Sequence, residues 1–282
     1  MTRLNRVIAL LEQGATVFGG FAAPEPAAAV SVRDVAYDLV LFEAEHKPWD
    51  APLLKDALQY LLDRRQLVGA ETVTAPITPI VRIPANGGER SQWHAKQALD
   101  LGAFGVVWPH IDTVEDARNA VSACRYPRLD RPKEEPPGLR GDSPAWAARY
   151  WGIPTSEYYQ RADVWPLAPS GEILVVLMIE SVQAIENLDD ILGEVPGIGL
   201  IMIGEGDLSQ ELGLPREYEH PTVLELKRRV LATCAAHGVA VAHPHVTQAN
   251  VEQVLADGYR VLLTAPVVKY PGLDRGRALA GR

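Results

Sequence analysis

Eight short apolar runs, most of them separated by longer helical patterns, constrain this 282-residue chain more than any single residue does. The runs are Thr16–Gly20, Asp38–Glu43, Ile80–Ile83, Gly105–Trp108, Ile173–Ile179, Leu200–Ile203, Val239–Ala242 and Arg260–Thr264. Several are apolar without alternation, Ile173–Ile179 (ILVVLMI) most of all. Such runs suit strands buried on both faces of a parallel sheet. Between them, Ala51–Arg65 carries Leu54, Leu58, Leu61 and Leu62 at helical spacing. Ser91–Leu101 leads into Gly102, and Thr113–Cys124 opens on a Thr-Val-Glu-Asp capping box. Ser181–Leu192, Pro221–His237 and Thr247–Ala256 are expected to be further helices. Strand and helix alternating eight times predict a single (β/α)8 TIM barrel over residues 1–282, with a doubly wound open sheet as the alternative.

One segment breaks the rhythm. Arg128–Glu172 separates the fourth and fifth strands by far more than one helix, and Trp146, Tyr150, Trp151, Tyr158, Tyr159 and Trp165 are concentrated in it. A long aromatic-rich insertion of this kind forms either a lid or substrate wall at the barrel mouth or a packed subunit interface.

Composition narrows the function. Lys+Arg 27 against Asp+Glu 36 leaves a net charge of −9, which gives no electrostatic claim on nucleic acid or an anionic membrane. A local site can still bind a small anion. No apolar stretch of ~18 residues is present to span a bilayer, and the N-terminal run lacks the pattern of a secretory signal. Cys124 and Cys234 lie far apart without ligand spacing, so a reducing cytoplasm is the expected location.

In a barrel the residues just after each strand face the active site. Glu43-Ala-Glu-His46 follows the second strand, Arg82 ends the third, His110 follows the fourth and Glu180 the fifth. Gly204-Glu-Gly-Asp207 follows the sixth, and His243 and His245 the seventh. Glu180 and Asp207 each have a bland reading as helix caps. Together, at matching strand ends, they suit a hard divalent cation such as Mg2+ or Mn2+. His46, flanked by Glu43 and Glu45, is a candidate base, with a surface-loop histidine as its alternative. Arg82 is placed to bind a carboxylate or an enolate oxygen, or else to form a salt bridge with Glu43 or Glu45. His243 and His245 share a face if extended, but no third ligand joins them by spacing. Neither Lys47 nor Lys269 has the surroundings a Schiff-base lysine needs.

At these residues the sequence resembles the HpcH/HpaI aldolase and citrate lyase family, from about Leu10 to Pro266. The resemblance is carried by Glu43-Ala-Glu-His46-Lys-Pro, Pro79-Ile-Val-Arg82-Ile-Pro84, Val107-Trp-Pro109, Gly138-Leu-Arg-Gly141, Ile179-Glu180-Ser and Ile203-Gly-Glu-Gly-Asp207-Leu-Ser209, in that order. It implies a pyruvate-kinase-like barrel with Glu180 and Asp207 as metal ligands for Mg2+ or Mn2+, with Co2+ a further candidate. It implies that His46, oriented by Glu43, takes part in proton transfer. Arg82 would stabilise an enolate, and main-chain N–H groups of Gly206 and Asp207 would hold a substrate carboxylate. The implied reaction splits a 4-hydroxy-2-oxo acid into pyruvate and an aldehyde through a metal-bound pyruvate enolate. The implied assembly is a homo-oligomer, trimer or hexamer. Related enolate chemistry (oxaloacetate decarboxylation or a CoA-thioester lyase) and a non-catalytic 2-oxo acid binder are the competing readings.

The chain departs from the family pattern in several places. Met178 stands where a Gln is common, Glu205 replaces a Pro, Glu43 stands near a usual Asp, and His243 and His245 replace less polar residues. These departures leave the core of the implied chemistry in place and bear on the substrate. The aromatic concentration near Asp163–Gly171 suggests a large aromatic aldehyde. The tail Tyr270–Arg282 is expected either to swap onto a neighbour or to stay disordered.

Overall fold

A computed structural model of the protein describes residues 2–33, 35, 37–84, 90–265 and 271–282. Its strands are β1 (Val17–Ala22), β2 (Leu39–Glu43), β3 (Thr78–Arg82), β4 (Gly105–Trp108), β5 (Val164–Trp165), β6 (Ile173–Ile179), β7 (Leu200–Ile203), β8 (Ala240–His243) and β9 (Val261–Thr264). All pair in parallel, in the order β4-β3-β2-β1-β9-β8-β7-β6-β5, and a direct β4–β6 pairing closes the ring. The result is the expected eight-stranded barrel, with β5 a two-residue strand added alongside β6.

Period-two alternation decides which side chains face inward. Leu174, Val176 and Met178 of β6 pack with Leu39, Leu41, Ile80, Val107, Leu200, Met202, Ala242 and Leu263 in the barrel interior. The intervening Ile173, Val175, Leu177 and Ile179 belong to the layer between barrel and helices. Both faces of β6 are therefore buried, which is why its sequence shows no polar alternation. Helix Arg6–Glu12 contributes Val7 and Ile8 to the interior cluster.

Two helices are shorter than the sequence predicts. Ala51–Leu61 ends because Leu62 turns extended, and Asp63 then caps a separate helix Arg64–Gly69. The Ser181–Leu192 pattern is divided into Val182–Glu186 and Leu188–Glu194. The final segment is ordered on its own chain: Pro271–Leu279 is helical and Arg282 pairs with buried Asp38 at 2.9 Å. Tyr270 and Lys269 lie outside the described residues.

The aromatic insertion does not form a wall of the barrel mouth. Trp151 donates its indole N–H to Gly102 O (3.0 Å) and stacks on Phe104 at 4.5 Å, just before β4 begins. Tyr158 packs against Trp151 at 4.7 Å, and Trp165 pairs beside Leu174 near the start of β6. These rings sit at the strand-start end, opposite the face where barrel enzymes place their chemistry. The concentration of aromatics in sequence is thus local packing on the closed end, and the lid reading falls.

Candidate active site

The same alternation that points Met178 inward carries Glu180 to the barrel mouth one step further along β6. Two strands round the ring from β6, past β4, the register pairs Glu43 of β2 directly with Arg82 of β3. Leu39 and Leu41 on β2 and Ile80 on β3 are inward residues, so Glu43 and Arg82 continue their inward rows. Three apolar strands, β2, β3 and β6, thus deliver ionisable side chains to one rim.

Arg82 is the hub of the β2–β3 side. Its Nε donates to Glu43 Oε2 at 2.5 Å, Nη2 also contacts Glu43, and Nη1 lies 3.0 Å from Glu45 Oε2. Nη1 also approaches Met178 Sδ at 3.7 Å. The salt bridges weighed from sequence therefore exist, and they hold the guanidinium at the rim of the cavity. Glu43 also accepts the main-chain N–H groups of Glu45 (2.8 Å) and His46 (3.1 Å). It positions His46 through the backbone, while the His46 ring lies 3.5 Å from Glu45. That imidazole is largely exposed. Burial, opposed by Arg82 and His46, raises the Glu45 carboxyl above the usual range.

On the other side, Glu180, Asp207 and His110 bring ligand atoms within 4.8 Å of one another. Glu180 is buried and accepts the His110 main-chain N–H at 2.6 Å. His110 reaches this position with a left-handed φ of 52°, an unusual conformation for a residue with a side chain. Burial pushes the Glu180 carboxyl up to about 8; Glu45 and Asp207 add to this, against the His110 N–H and Arg82. A buried carboxylate beside two further acidic groups is a site short of positive charge, and a divalent cation supplies it. The donor set fits such an ion. Helix capping does not account for Glu180, because Ser181 caps the next helix by accepting Ala184 N–H. Nor does Asp207 cap: it lies in the first turn of Glu205–Glu211, whose N-cap is Gly204. Gly204 itself must lack a side chain, since a Cβ there would collide with the Glu180 carboxylate.

A cavity of about 560 Å³ reaches both Arg82 and Asp207. Glu43, His46, Arg82, Met178, Gly206 and Asp207 line it, together with Phe21, Gln210, Arg216, Tyr218 and His245. A Cβ placed on Gly206 would meet nothing within 4 Å, so the backbone of that helix turn borders open space. The sequence places His110 among the strand-end residues facing the mouth and Glu45 beside His46, but does not bring His110 to Glu180. His110 follows Pro109 in a loop with no periodicity, and only the fold shows its proximity to Glu180.

Glu205, the third carboxylate of this turn, is buried and paired. Lys227 Nζ lies 2.7 Å from one oxygen and His245 Nδ1 2.7 Å from the other. Burial works against its ionisation, but His245, His243 and Lys227 together hold it down to about 2. It is thus committed to two cationic or hydrogen-bonding partners. His243 is buried too, set edge-on to Tyr259 at 4.9 Å, and its Nδ1 accepts the His245 main-chain N–H at 3.2 Å.

Burial pushes the His243 imidazole from 6.5 down to about 4, opposed by Glu205 and aided by Lys227 and His245. A histidine depressed in the folded state binds fewer protons there than in the unfolded chain, so stability falls as pH drops from 6.5 toward 4. Integrated to about pH 5, the expected loss from this group is about 2 kcal/mol relative to about pH 7.5. His243→Asn should remove that part of the acid sensitivity, read as the difference between urea midpoints at the two pH values. Equal losses in the two proteins would exclude His243 as its source.

Comparison with known proteins places the chain among related barrels. Residues 21–265 match the family model described as HpcH/HpaI aldolase/citrate lyase. A 2-keto-3-deoxy-L-rhamnonate aldolase from Klebsiella pneumoniae subsp. pneumoniae is 34% identical over 223 residues, covering 79% of this chain and 72% of that protein. Among solved structures, an HpcH/HpaI aldolase/citrate lyase family protein from Burkholderia cenocepacia superposes with a TM-score of 0.75 at 27% identity, covering 97% of this chain and 96% of that one. The citrate synthase SbnG follows the same fold at a TM-score of 0.67 and 25% identity, over 97% of this chain and 94% of that one. With the family model matching residues 21–265 and a relative 34% identical over 79% of the chain, the chain belongs to the HpcH/HpaI aldolase/citrate lyase family.

Proposed function

We propose that this carbon–carbon lyase, a single (β/α)8 domain over residues 1–282, cleaves or forms the bond between pyruvate C3 and an aldehyde carbon. The substrate in the cleavage direction is a 4-hydroxy-2-oxo acid. The observation that carries this reading is the meeting of Glu180, Asp207 and His110 within 4.8 Å, at the same barrel mouth as Arg82. Glu180 and Asp207 would hold a divalent cation, Mg2+ or Mn2+ with Co2+ as a further candidate, and that ion would supply Lewis acidity toward the 2-oxo acid.

The remaining work falls to the chain's own groups. The Gly206 and Asp207 main-chain N–H groups, in the first turn of a helix bordering the cavity, would hold the substrate carboxylate. Arg82 would face the oxygen on which negative charge grows as the C3–C4 bond breaks, and stabilise it there. Its pairing with Glu43 and Glu45 fixes the fork in advance, so little reorganisation is needed during the reaction. His46, on the cavity wall and 3.5 Å from Glu45, would exchange the proton of the C4 hydroxyl. The relatives named as 2-keto-3-deoxy-L-rhamnonate aldolases favour a hydroxylated acid as substrate. The aromatic rings of the insertion lie away from the cavity, which removes the reason to expect an aromatic aldehyde.

Two further points complete the proposal. Cys124 and Cys234 are both buried and free, as suits a reducing cytoplasm, and no helix among the described residues is long and apolar enough to cross a membrane. A homo-oligomer, trimer or hexamer, would cover exposed apolar residues such as Leu67, Val68 and Val73.

Incubation with a panel of 4-hydroxy-2-oxo acids tests the reaction, with pyruvate release followed by a coupled reductase. Release is expected with Mg2+ or Mn2+ and is expected to disappear with a chelator. Cleavage that persists unchanged under exhaustive chelation contradicts the metal assignment.

A further inference from the structure

Two of this chain's departures from the family pattern turn out to be one unit. Glu205 and His245, forty residues apart, meet in a 2.7 Å hydrogen bond. Lys227 occupies the other Glu205 oxygen at 2.7 Å, so the carboxylate is anchored from both sides. Glu205 accepts from Lys227 Nζ on one oxygen, and the 2.7 Å contact of the other with His245 Nδ1 is satisfied with the ring hydrogen on Nδ1. Nε2 is then the ring position left to meet a partner, as an acceptor whenever the imidazole is neutral.

The His245 ring is fixed more firmly than a surface histidine needs. It lies flat against Tyr218, with centroids 5.5 Å apart and planes 11° from parallel. Its main-chain N–H is held by His243. Yet its side chain is 48% exposed, and it lines the cavity that also holds Arg82 and Asp207. The strand order places it in that cavity with purpose. In a closed ring of eight, β8 stands opposite β3, so His245 faces the Arg82 side across the mouth. Gln210, Arg216 and Tyr218 line the same cavity and bring further polar groups to it.

We propose that His245, aligned by Glu205, is a specificity-determining residue that accepts a hydrogen bond from a hydroxyl on the aldehyde half of the substrate. The assignment rests on the aldolase reading above and deepens it. The enzyme then favours a hydroxyaldehyde over an alkyl aldehyde of equal length. Glu205 and Lys227 are positioning residues: they fix the tautomer and tilt of the ring and touch no substrate.

The test is the ratio of kcat/KM for lactaldehyde to that for propionaldehyde, each condensed with pyruvate by the full-length protein with Mn2+. The wild type is expected to favour lactaldehyde by about tenfold, the value of one good hydrogen bond. His245→Ala is expected to bring the ratio to within about twofold of unity, through a loss on lactaldehyde alone. His245→Gln, which returns an acceptor oxygen, is expected to restore part of the preference. Glu205→Gln should lower the ratio without changing the pyruvate KM, which a merely structural role would not do selectively. A wild type without preference, or a His245→Ala protein that keeps it, overturns the assignment. Pyruvate methyl-proton exchange by the wild type, measured alongside, separates the two levels. Its absence overturns the aldolase reading itself, whereas exchange with an unchanged ratio overturns only the role of His245.

Discussion

Glu180→Gln is expected to reduce pyruvate-forming turnover by about three orders of magnitude while leaving the fold intact. Glutamine has nearly the shape of glutamate, so the packing beside Gly204 is preserved. What disappears is the buried negative charge that, with Asp207, would hold the cation. Loss of several kcal/mol of Lewis-acid stabilisation corresponds to a rate loss of about 10³. The variant should also lose the rise in melting temperature that Mg2+ or Mn2+ gives the wild type, since that rise measures binding to the folded state. Without metal, its stability should equal or exceed that of the wild type, because a charge opposed by burial has been removed. Steady-state kinetics and thermal melts with and without metal read all of these. A variant with full turnover, or with an undiminished metal-induced shift, would remove Glu180 from the site.

Arg82→Leu is expected to cost about 10² to 10³ in kcat, the range for loss of one preorganised donor to a developing oxyanion. Its second effect is on the free protein. Glu43 and Glu45 are 15% and 9% exposed at their side chains, and both are paired to this guanidinium. Removing it leaves two partly buried carboxylates facing each other, which should lower stability by about 2 kcal/mol near neutral pH. Arg82→Lys separates the two roles. It returns the charge and most of the stability, but a point charge cannot keep the fork that spans Glu43, Glu45 and the cavity. Turnover in Arg82→Lys should therefore remain at least tenfold below the wild type while the urea midpoint recovers. Recovery of both together would mean that Arg82 acts by charge alone.

The barrel was legible because its strands obey a simple rule. A seven-residue run such as Ile173–Ile179 is buried on both faces, and the structure finds it with the predicted ends. The candidate residues Glu43, Arg82 and Glu180 were legible for the same reason: each is an ionisable side chain at the end of an apolar strand, where alternation leaves no other place for it than the mouth. What the sequence concealed depends on contacts between distant segments. Lys227 sits in the middle of a sixteen-residue helix, in a run that looks like a solvated face, and only the fold brings it to Glu205. His110 sits beside Glu180 through a left-handed backbone turn that no periodicity announces. The aromatic segment misled for a related reason. Its density in sequence carries no information about which end of the barrel it covers, and Phe104 and Gly102 draw it to the strand starts.

Exchange of pyruvate methyl protons for solvent deuterium, followed by proton NMR, tests the central claim most directly, because it requires the enolate and no aldehyde. The wild type should exchange in the presence of Mg2+ or Mn2+ and stop on chelation, and Glu180→Gln should not exchange under either condition. Absence of exchange by wild-type protein with metal demonstrably bound, or exchange at the same rate by Glu180→Gln, would contradict the account.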